Sequence, residues 1–223
     1  MTTSTEGTRA GPALRLRLPE KPRWTQWNHN QHYHRFLLDQ MPAGCQVALD
    51  VGCGAGRLAV RMTERAQRVV ALDRDAAILE VARRVSAHPR VAYLEADLLD
   101  AGLEAGSFGF IACLAALHHM PFAVALVRMR RLLAAGGVLA VVGLYRYVTA
   151  ADYLHYAAVV PVDLALGALR HRREERAGVL PRAPLRPPGM TLAAIRAQAE
   201  ATLPGSVVRR HMYYRYSLVY RVP

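Results

Sequence analysis

The chain has 223 residues, of which 52% are hydrophobic and 21% are charged, a balance typical of one globular domain with a single large core. Its three cysteines are too few for a disulfide framework, which indicates a reducing, cytoplasmic environment. No apolar stretch is long enough to span a bilayer and the N-terminal residues lack the apolar segment of a signal peptide, so we expect no membrane contact.

The formal net charge of +12 is concentrated in the two flanks of the chain. Residues 1–35 hold six basic residues against two acidic ones, and residues 165–223 hold eleven against three. Residues 36–164 hold twelve of each sign. A solvated surface biased toward arginine explains this distribution, and an anionic substrate or an acidic partner is the alternative.

The N-terminal part divides into a tail and a helical segment. Residues 1–22 contain three prolines, and we expect a disordered or loosely attached tail there, followed by one domain over residues 23–223. Within that domain, residues 24–41 include the run WNHNQHYHRFLLDQM, which predicts a helix before the first strand.

The most informative segment is VALDVGCGAGR, residues 47–57. Its apolar run ends in three alternate glycines, Gly52, Gly54 and Gly56. A helical pattern over Arg57 to Gln67 follows, which predicts a buried parallel strand that turns tightly into a helix, where glycines let a ligand approach the backbone. Arg57 stands where the dinucleotide fingerprint has its third glycine, and Asp50 precedes the turn by two residues. This spacing favours an adenosyl ligand without a pyrophosphate over a nicotinamide cofactor.

Two further apolar runs lead into acidic residues. The run from Val69 to Leu72 ends in Asp73, 17 residues after Gly56, and the run from Val91 to Leu94 leads to Asp97. A carboxylate at the tip of the second strand can accept hydrogen bonds from both hydroxyls of a ribose. The carboxylate of Asp97 can likewise accept from the exocyclic amine of adenine.

Two more strands follow in the second half of the chain. Phe108 to Leu117 predicts the fourth strand and Val138 to Leu144 the fifth. Helices are expected over Ala76 to Ala87 and over Pro121 to Ala135, the second with a glycine stop at Gly136.

The C-terminal part of the chain predicts further helices and two strands. Residues 150–171 form a helical stretch, Thr191 is a suitable N-cap for a helix that ends at Ala201, and Val207 to Val222 predicts two short strands. The alternation of strands and helices along the chain predicts a parallel sheet with right-handed crossovers.

Together these segments resemble the class I S-adenosylmethionine-dependent methyltransferases. The ordered set LDVGCGAGR, ALD, EAD, LHH and LLAAGG matches the motifs of that family over roughly residues 45–145. The resemblance implies an α/β, Rossmann-like, doubly wound sheet of seven mostly parallel strands with the last antiparallel. It also implies an N-terminal helical lid, an inserted helical cap at about residues 145–190, and S-adenosyl-L-methionine as the cofactor.

The resemblance assigns cofactor contacts to the lid and to the ends of the first four strands. These contacts are Tyr33, Asp50, Gly52, Cys53, Gly54, Gly56, Asp73, Arg74, Asp97, Leu98 and Leu114. Tyr33 and His29 lie four residues apart on one helical face, so they are the candidates for the lid, with His29 on the substrate side.

His118 and His119 stand at the end of the fourth strand, where the substrate should lie. A histidine that titrates near neutrality suits a general base, and His118 is the first choice over His119. The alternative is that the pair packs against the methionine portion of the cofactor or caps the next helix.

The substrate site is expected after the fifth strand, because eight of the ten tyrosines follow residue 144. The candidates there are Tyr145, Arg146, Tyr153 and Tyr156, which can form an aromatic pocket with a polar handle. Such a pocket favours a planar or hydrophobic small molecule. We expect no metal ion, because the histidines of residues 27–34 have no carboxylate at ligand spacing.

These observations predict a small-molecule methyltransferase and leave two alternatives. An RNA or protein methyltransferase would use the basic flanks. Against nucleic acid, the fourth strand is not followed by an Asn/Asp-Pro-Pro-aromatic motif. A catalytic lysine in the core is excluded, since Lys21 is the only lysine. The second alternative is a protein that binds the cofactor without transferring methyl groups. The oligomeric state stays open.

Overall fold

A computed structural model of the chain describes residues 29–155, 157, 159 and 187–223, and only the backbone of residue 29. Seven strands lie in one sheet of order β3-β2-β1-β4-β5-β7-β6. They are β1 (Cys45–Val51), β2 (Ala66–Asp73), β3 (Val91–Glu95), β4 (Phe108–Leu114), β5 (Leu133–Leu144), β6 (Val207–Arg210) and β7 (Arg215–Arg221).

Only β7 runs against the other strands of this sheet. It is antiparallel to β5 on one side and to β6 on the other, whereas β1 to β5 pair in parallel. The predicted seven-stranded, mostly parallel sheet with the last strand antiparallel is therefore confirmed. The two predicted closing strands are β6 and β7.

Helices connect the strands and cover both faces of the sheet. They are α1 (His29–His32), α2 (His34–Asp39), α3 (Arg57–Met62), α4 (Ala76–Val85), α5 (Phe122–Leu132), α6 (from residue 150, described to residue 155) and α7 (Leu192–Thr202). A single 3₁₀ turn, Leu117–His119, follows β4. The predicted N-cap of α7 is observed, since Thr191 Oγ1 accepts a hydrogen bond from the amide of Ala194 at 3.2 Å.

The core lies in two layers because alternate residues of a strand face opposite sides of the sheet. In β4, Phe110 packs on the face covered by α2 and α3, and Ile111 packs on the face covered by α5 and α7. Among the described helices, none combines the length and apolar content that a bilayer crossing requires. In the same residues, no three His, Cys, Asp or Glu side chains are close enough to hold a metal ion.

The first crossover helix is shorter than the pattern over Arg57 to Gln67 indicated. Helix α3 ends at Met62, and β2 begins at Ala66. Ala66 pairs in register with Cys45 of β1, so strand pairing takes over residues whose local pattern was compatible with a helix.

The helix expected over Pro121 to Ala135 also ends early. Helix α5 stops at Leu132 because Leu133 is buried and pairs with Phe108 of β4. The register of the two strands then shifts, and Gly136, with φ +69°, lies in this irregular part of β5. The glycine therefore shapes a bulge and not a helix end.

The segments in which a lid and a cap are expected lie partly outside the described residues. The predicted tail of residues 1–22 lies outside them, as do residues 156, 158 and 160–186 of the expected cap and helical stretch. The start of that stretch is observed as α6, where Thr149 and Asp152 form a capping box. Asp152 Oδ2 accepts from the amide of Thr149 at 3.0 Å, and Thr149 Oγ1 accepts from that of Asp152 at 3.1 Å.

Candidate functional site

The carboxyl ends of β1, β2, β3 and β4 meet at one edge of the sheet and border a cleft of about 990 Å³. Open parallel sheets bind their ligands at this edge. Nine of the residues expected to contact the cofactor line the cleft. They are Asp50, Gly52, Cys53, Gly54, Asp73, Arg74, Asp97, Leu98 and Leu114. Tyr33 and Gly56 are not among the lining residues.

The glycine turn after β1 has three left-handed residues with three different surroundings. Gly54, with φ +52°, lines the cleft, and no atom stands within 4 Å of the place where its Cβ would be. A Cβ at Gly52 would overlap Ala116, and one at Gly56 would overlap the ring of Tyr93. Gly54 therefore leaves space beside the cleft, whereas Gly56 makes room for the ring of Tyr93 in β3.

Asp73 at the end of β2 holds the glycine turn in place. Its Oδ2 accepts a hydrogen bond from the amide of Gly54 at 2.9 Å, and its Oδ1 accepts from the amide of Asp75 at 3.1 Å. A carboxylate has about four acceptor positions. Asp73 can therefore accept two further donors from a ligand in the cleft without breaking either bond.

Asp50 is a deeply buried acid of the cleft. Its residue is 1% exposed, and its Oδ2 has no hydrogen-bond partner. Burial, and secondly the charge of Asp73, raise the pKa of Asp50 to about 7, and the amide of Ala59 opposes this shift. Asp50 is therefore poised to lose its proton when a cationic or N–H donor reaches Oδ2.

Asp97 follows β3 and closes the cleft on that side. Its Oδ1 accepts from the amide of Leu99 at 2.9 Å, which fixes the carboxylate in a short turn. The neighbouring Leu98 is buried and supplies apolar surface to the same wall. The predicted contact between Asp97 and an adenine amine stays a prediction.

The end of β4 brings one of the two candidate histidines into the cleft. Ala115 has φ +56°, an uncommon conformation for a residue with a side chain, and its amide donates to the carbonyl of Val142 at 2.7 Å. This bend directs the chain into the 3₁₀ turn, whose His119 lines the cleft with Met120. His118 is not among the lining residues, and its ring centroid lies 4.0 Å from that of His119.

The residues that the N-terminal helices contribute to the cleft differ from those expected. Tyr33 is buried, and its hydroxyl donates to the carbonyl of Met212 at 2.6 Å, so it joins the N-terminal helices to the segment between β6 and β7. Asn30, Gln31 and His34 line the cleft instead. Tyr33 lies at the turn between α1 and α2, and the helical face that we expected it to share with His29 is interrupted there.

His34 is a site residue that the sequence analysis missed. It is 5% exposed, and burial, followed by the charges of Arg61 and Arg57, lowers its pKa to about 4. His34 is therefore neutral at physiological pH. No local sequence signal distinguishes His34 from His32, because the turn at Tyr33 interrupts the helical spacing.

The expected substrate residues lie away from the cleft lining. The ring of Tyr147 lies between those of Tyr145 and Tyr214, with centroid distances of 4.9 and 4.8 Å, and Tyr153 meets it at 6.3 Å. We call these four residues the tyrosine cluster. Arg146 is exposed, and Tyr156 and the side chain of His29 lie outside the described residues.

Comparisons with known proteins agree with this architecture. Residues 49–141 match a family described as a methyltransferase domain. The chain is 35% identical over 199 residues to an uncharacterized methyltransferase of Mycobacterium tuberculosis, an alignment that covers 88% of this chain and 98% of that protein. A ubiquinone biosynthesis O-methyltransferase of Xanthomonas axonopodis pv. citri is 38% identical over 90 residues, which cover 39% of this chain and 37% of that enzyme.

The fold is also found among solved structures. A SAM dependent methyltransferase from Aquifex aeolicus superposes with a TM-score of 0.57 at 15% identity, covering 85% of this chain and 88% of that one. At this identity the likeness concerns the fold alone.

Proposed function

Since the chain belongs to the class I S-adenosylmethionine-dependent methyltransferase family, we propose that it methylates a small aromatic or hydrophobic metabolite in the cleft at the carboxyl edge of the sheet. One observation carries the proposal: the same cleft holds a set of acids at the strand ends and His119 beyond β4. Its volume of about 990 Å³ lies at the upper end of the range for small-molecule sites.

The residues present fit S-adenosyl-L-methionine. Asp73 has acceptor positions for the hydroxyls of a ribose, and the carboxylate of Asp97, which lines the cleft after β3, has acceptor positions for an adenine amine. The buried Oδ2 of Asp50 has no hydrogen-bond partner, and a donor group of the ligand would supply one. Gly54 has no side chain, which leaves space for the ligand beside the turn. When bound, the cofactor supplies an activated methyl group for an in-line displacement by the acceptor.

The task of the chain is then to position the acceptor and remove its proton. His119 lines the cleft on a 3₁₀ turn whose first residue, Leu117, is anchored in the core. An imidazole there can take the proton of an acceptor hydroxyl or amine, a role that contributes about 10²–10⁴-fold. We therefore place His119 ahead of His118 as the base, in reverse of the order expected from the sequence.

The tyrosine cluster supports an aromatic or hydrophobic acceptor. Its members follow the carboxyl end of β5 or precede β7, so they stand at the edge of the sheet that carries the cleft. Tyr145 is buried, but Tyr153 is exposed and Tyr147 is half-buried, so these two rings can contact a planar ligand that extends beyond the cleft lining.

A partition experiment tests the proposal. The protein is incubated with methyl-tritiated S-adenosylmethionine and, separately, with the small-metabolite, RNA and protein fractions of one bacterial extract. We expect label in the small-metabolite products, with a loss of about a hundredfold for His119→Ala and a smaller loss for the matched variant His118→Ala. Label in RNA or protein would favour the macromolecular alternative, and absence of transfer to all three would favour a non-catalytic binding protein.

A further inference from the structure

The hairpin between β6 and β7 has an unusual tip. The amide of Arg215 donates to the carbonyl of Met212 at 3.3 Å, and the two residues between them, Tyr213 and Tyr214, have φ of +59° and +61°. Two consecutive positive φ angles are typical of type I′ turns, which prefer Asn-Gly and disfavour large side chains. Backbone strain of this kind persists where the surrounding structure fixes it, and it concentrates at functional sites.

This strained turn introduces a buried cation, Arg215, into the edge of the sheet. Arg215 is 7% exposed, and its Nη2 donates to Oδ1 of Asn30 at 2.6 Å. Its Nε and Nη1 have no hydrogen-bond partner, and no carboxylate in the described part of the chain forms an ion pair with it. Burial lowers the pKa of the guanidinium to about 10, so the group keeps its charge at neutral pH.

Among the described residues, the neighbours of Arg215 do not neutralise its charge. The nearby Tyr33 is a neutral hydroxyl, because its O–H donates a hydrogen bond to the carbonyl of Met212. A buried guanidinium with unused N–H groups is unfavourable unless an anion accepts from them. A carboxylate or phosphate is the matching acceptor, since its paired oxygens fit the fork of N–H groups on a guanidinium.

The position of Arg215 relates it to the cleft. It pairs with Leu144 at the carboxyl end of β5, the edge of the sheet at which the cleft lies. Its hydrogen-bond partner Asn30 is itself a lining residue. Nη2 carries a second N–H, so an oxyanion that enters beside Asn30 can accept from that N–H and from the adjacent Nε or Nη1. The bond from Nη2 to Asn30 then stays intact, and Asn30 can hold the guanidinium while the ligand is bound.

We propose that Arg215 binds an anionic group, a carboxylate or a phosphate, of the acceptor substrate, with Asn30 as its positioning residue. This inference rests on the proposed function and narrows its substrate class to an aromatic or hydrophobic acid. The methyl acceptor then lies at one end of the molecule, near His119, and the oxyanion lies toward the hairpin.

Binding of simple probes tests this without knowledge of the substrate. Benzoate, phenyl phosphate and the neutral benzamide are titrated calorimetrically into the wild-type protein, Arg215→Met and Arg209→Met, with and without S-adenosylhomocysteine. Arg209 is an exposed arginine of the same hairpin and provides the matched control. We expect at least one anion to bind the wild type and Arg209→Met more tightly than benzamide, and to bind Arg215→Met about tenfold or more weakly.

The stronger of the two anionic probes distinguishes a carboxylate from a phosphate. The proposal is overturned if neither anion exceeds benzamide on the wild type, or if Arg215→Met keeps the affinity of the wild type. The binding of S-adenosylhomocysteine is measured separately. A protein that does not bind S-adenosylhomocysteine would refute the proposed function, whereas the anion titrations made without S-adenosylhomocysteine test Arg215 alone.

A second variant covers the case in which Arg215→Met does not fold. Asn30→Asp keeps the shape of the side chain and puts a carboxylate oxygen in contact with Nη2 of Arg215. We expect the melting temperature to rise and anion binding to weaken, because an internal anion then neutralises the guanidinium. An unchanged affinity for benzoate and phenyl phosphate in this variant would contradict a ligand-binding role for Arg215.

Discussion

The raised pKa of Asp50 predicts how the stability of the protein depends on pH. A pKa that moves from 3.8 in the unfolded chain to about 7 in the folded protein corresponds to about 4 kcal/mol against ionisation in the fold. The folded state binds more protons than the unfolded state between these two values. The contribution of Asp50 to the free energy of unfolding therefore falls as the pH rises from about 4 to about 7, and is constant above that range.

Asp50→Asn isolates this effect, because an amide has the shape of the protonated carboxyl and does not ionise. We expect the variant and the wild type to have similar unfolding free energies near pH 4. Above pH 7 the variant should be more stable, by up to about 4 kcal/mol. Urea unfolding at intervals from pH 4 to pH 8, without cofactor, measures the difference. A difference that stays constant over this range, or a variant that is less stable at pH 8, would refute the account of Asp50.

Three other substitutions test separate parts of the structure. Asp73→Ala should weaken S-adenosylhomocysteine binding by about 1.5–3 kcal/mol in calorimetry while the circular dichroism spectrum stays unchanged. Gly56→Ala should lower the free energy of unfolding by about 1–3 kcal/mol, because the new Cβ meets the ring of Tyr93 and the residue has a φ of +75°. An unaltered midpoint of urea unfolding would argue against this packing. Arg210→Ala removes the 2.8 Å ion pair to Asp152, and should destabilise the protein by about 1–3 kcal/mol and increase proteolysis near α6; equal protease sensitivity would exclude a docking role.

Local sequence signals predicted the sheet and the acids at its edge. The apolar run before Gly52 and the run that ends at Asp73 correspond to β1 and β2, and the glycines indicated the position of the turn. The run from Phe108 corresponds to β4, but this strand ends at Leu114 and not at Leu117, which belongs to the 3₁₀ turn. These features could be predicted because a buried parallel strand and a tight strand-to-helix turn each demand particular residues within a few positions.

The errors arise where distant contacts decide the structure. Leu133 belongs to β5 and not to the preceding helix because Phe108, far away in the chain, pairs with it. His34 and not Tyr33 lines the cleft, because the hydroxyl of Tyr33 donates a hydrogen bond to the carbonyl of Met212 in the hairpin. The burial of Arg215 likewise depends on a turn that its own sequence disfavours. Propensity and periodicity contain no information on such partners.

We expect this cleft to bind an adenosyl cofactor without a pyrophosphate. Calorimetric titrations of the wild-type protein with S-adenosylhomocysteine and, in parallel, with NAD measure this selectivity. We predict micromolar binding of S-adenosylhomocysteine and no binding of NAD, since Arg57 stands where a dinucleotide site has its third glycine and Asp73 is free to accept from a ribose. Binding of NAD, or a flat titration with S-adenosylhomocysteine, would contradict the account.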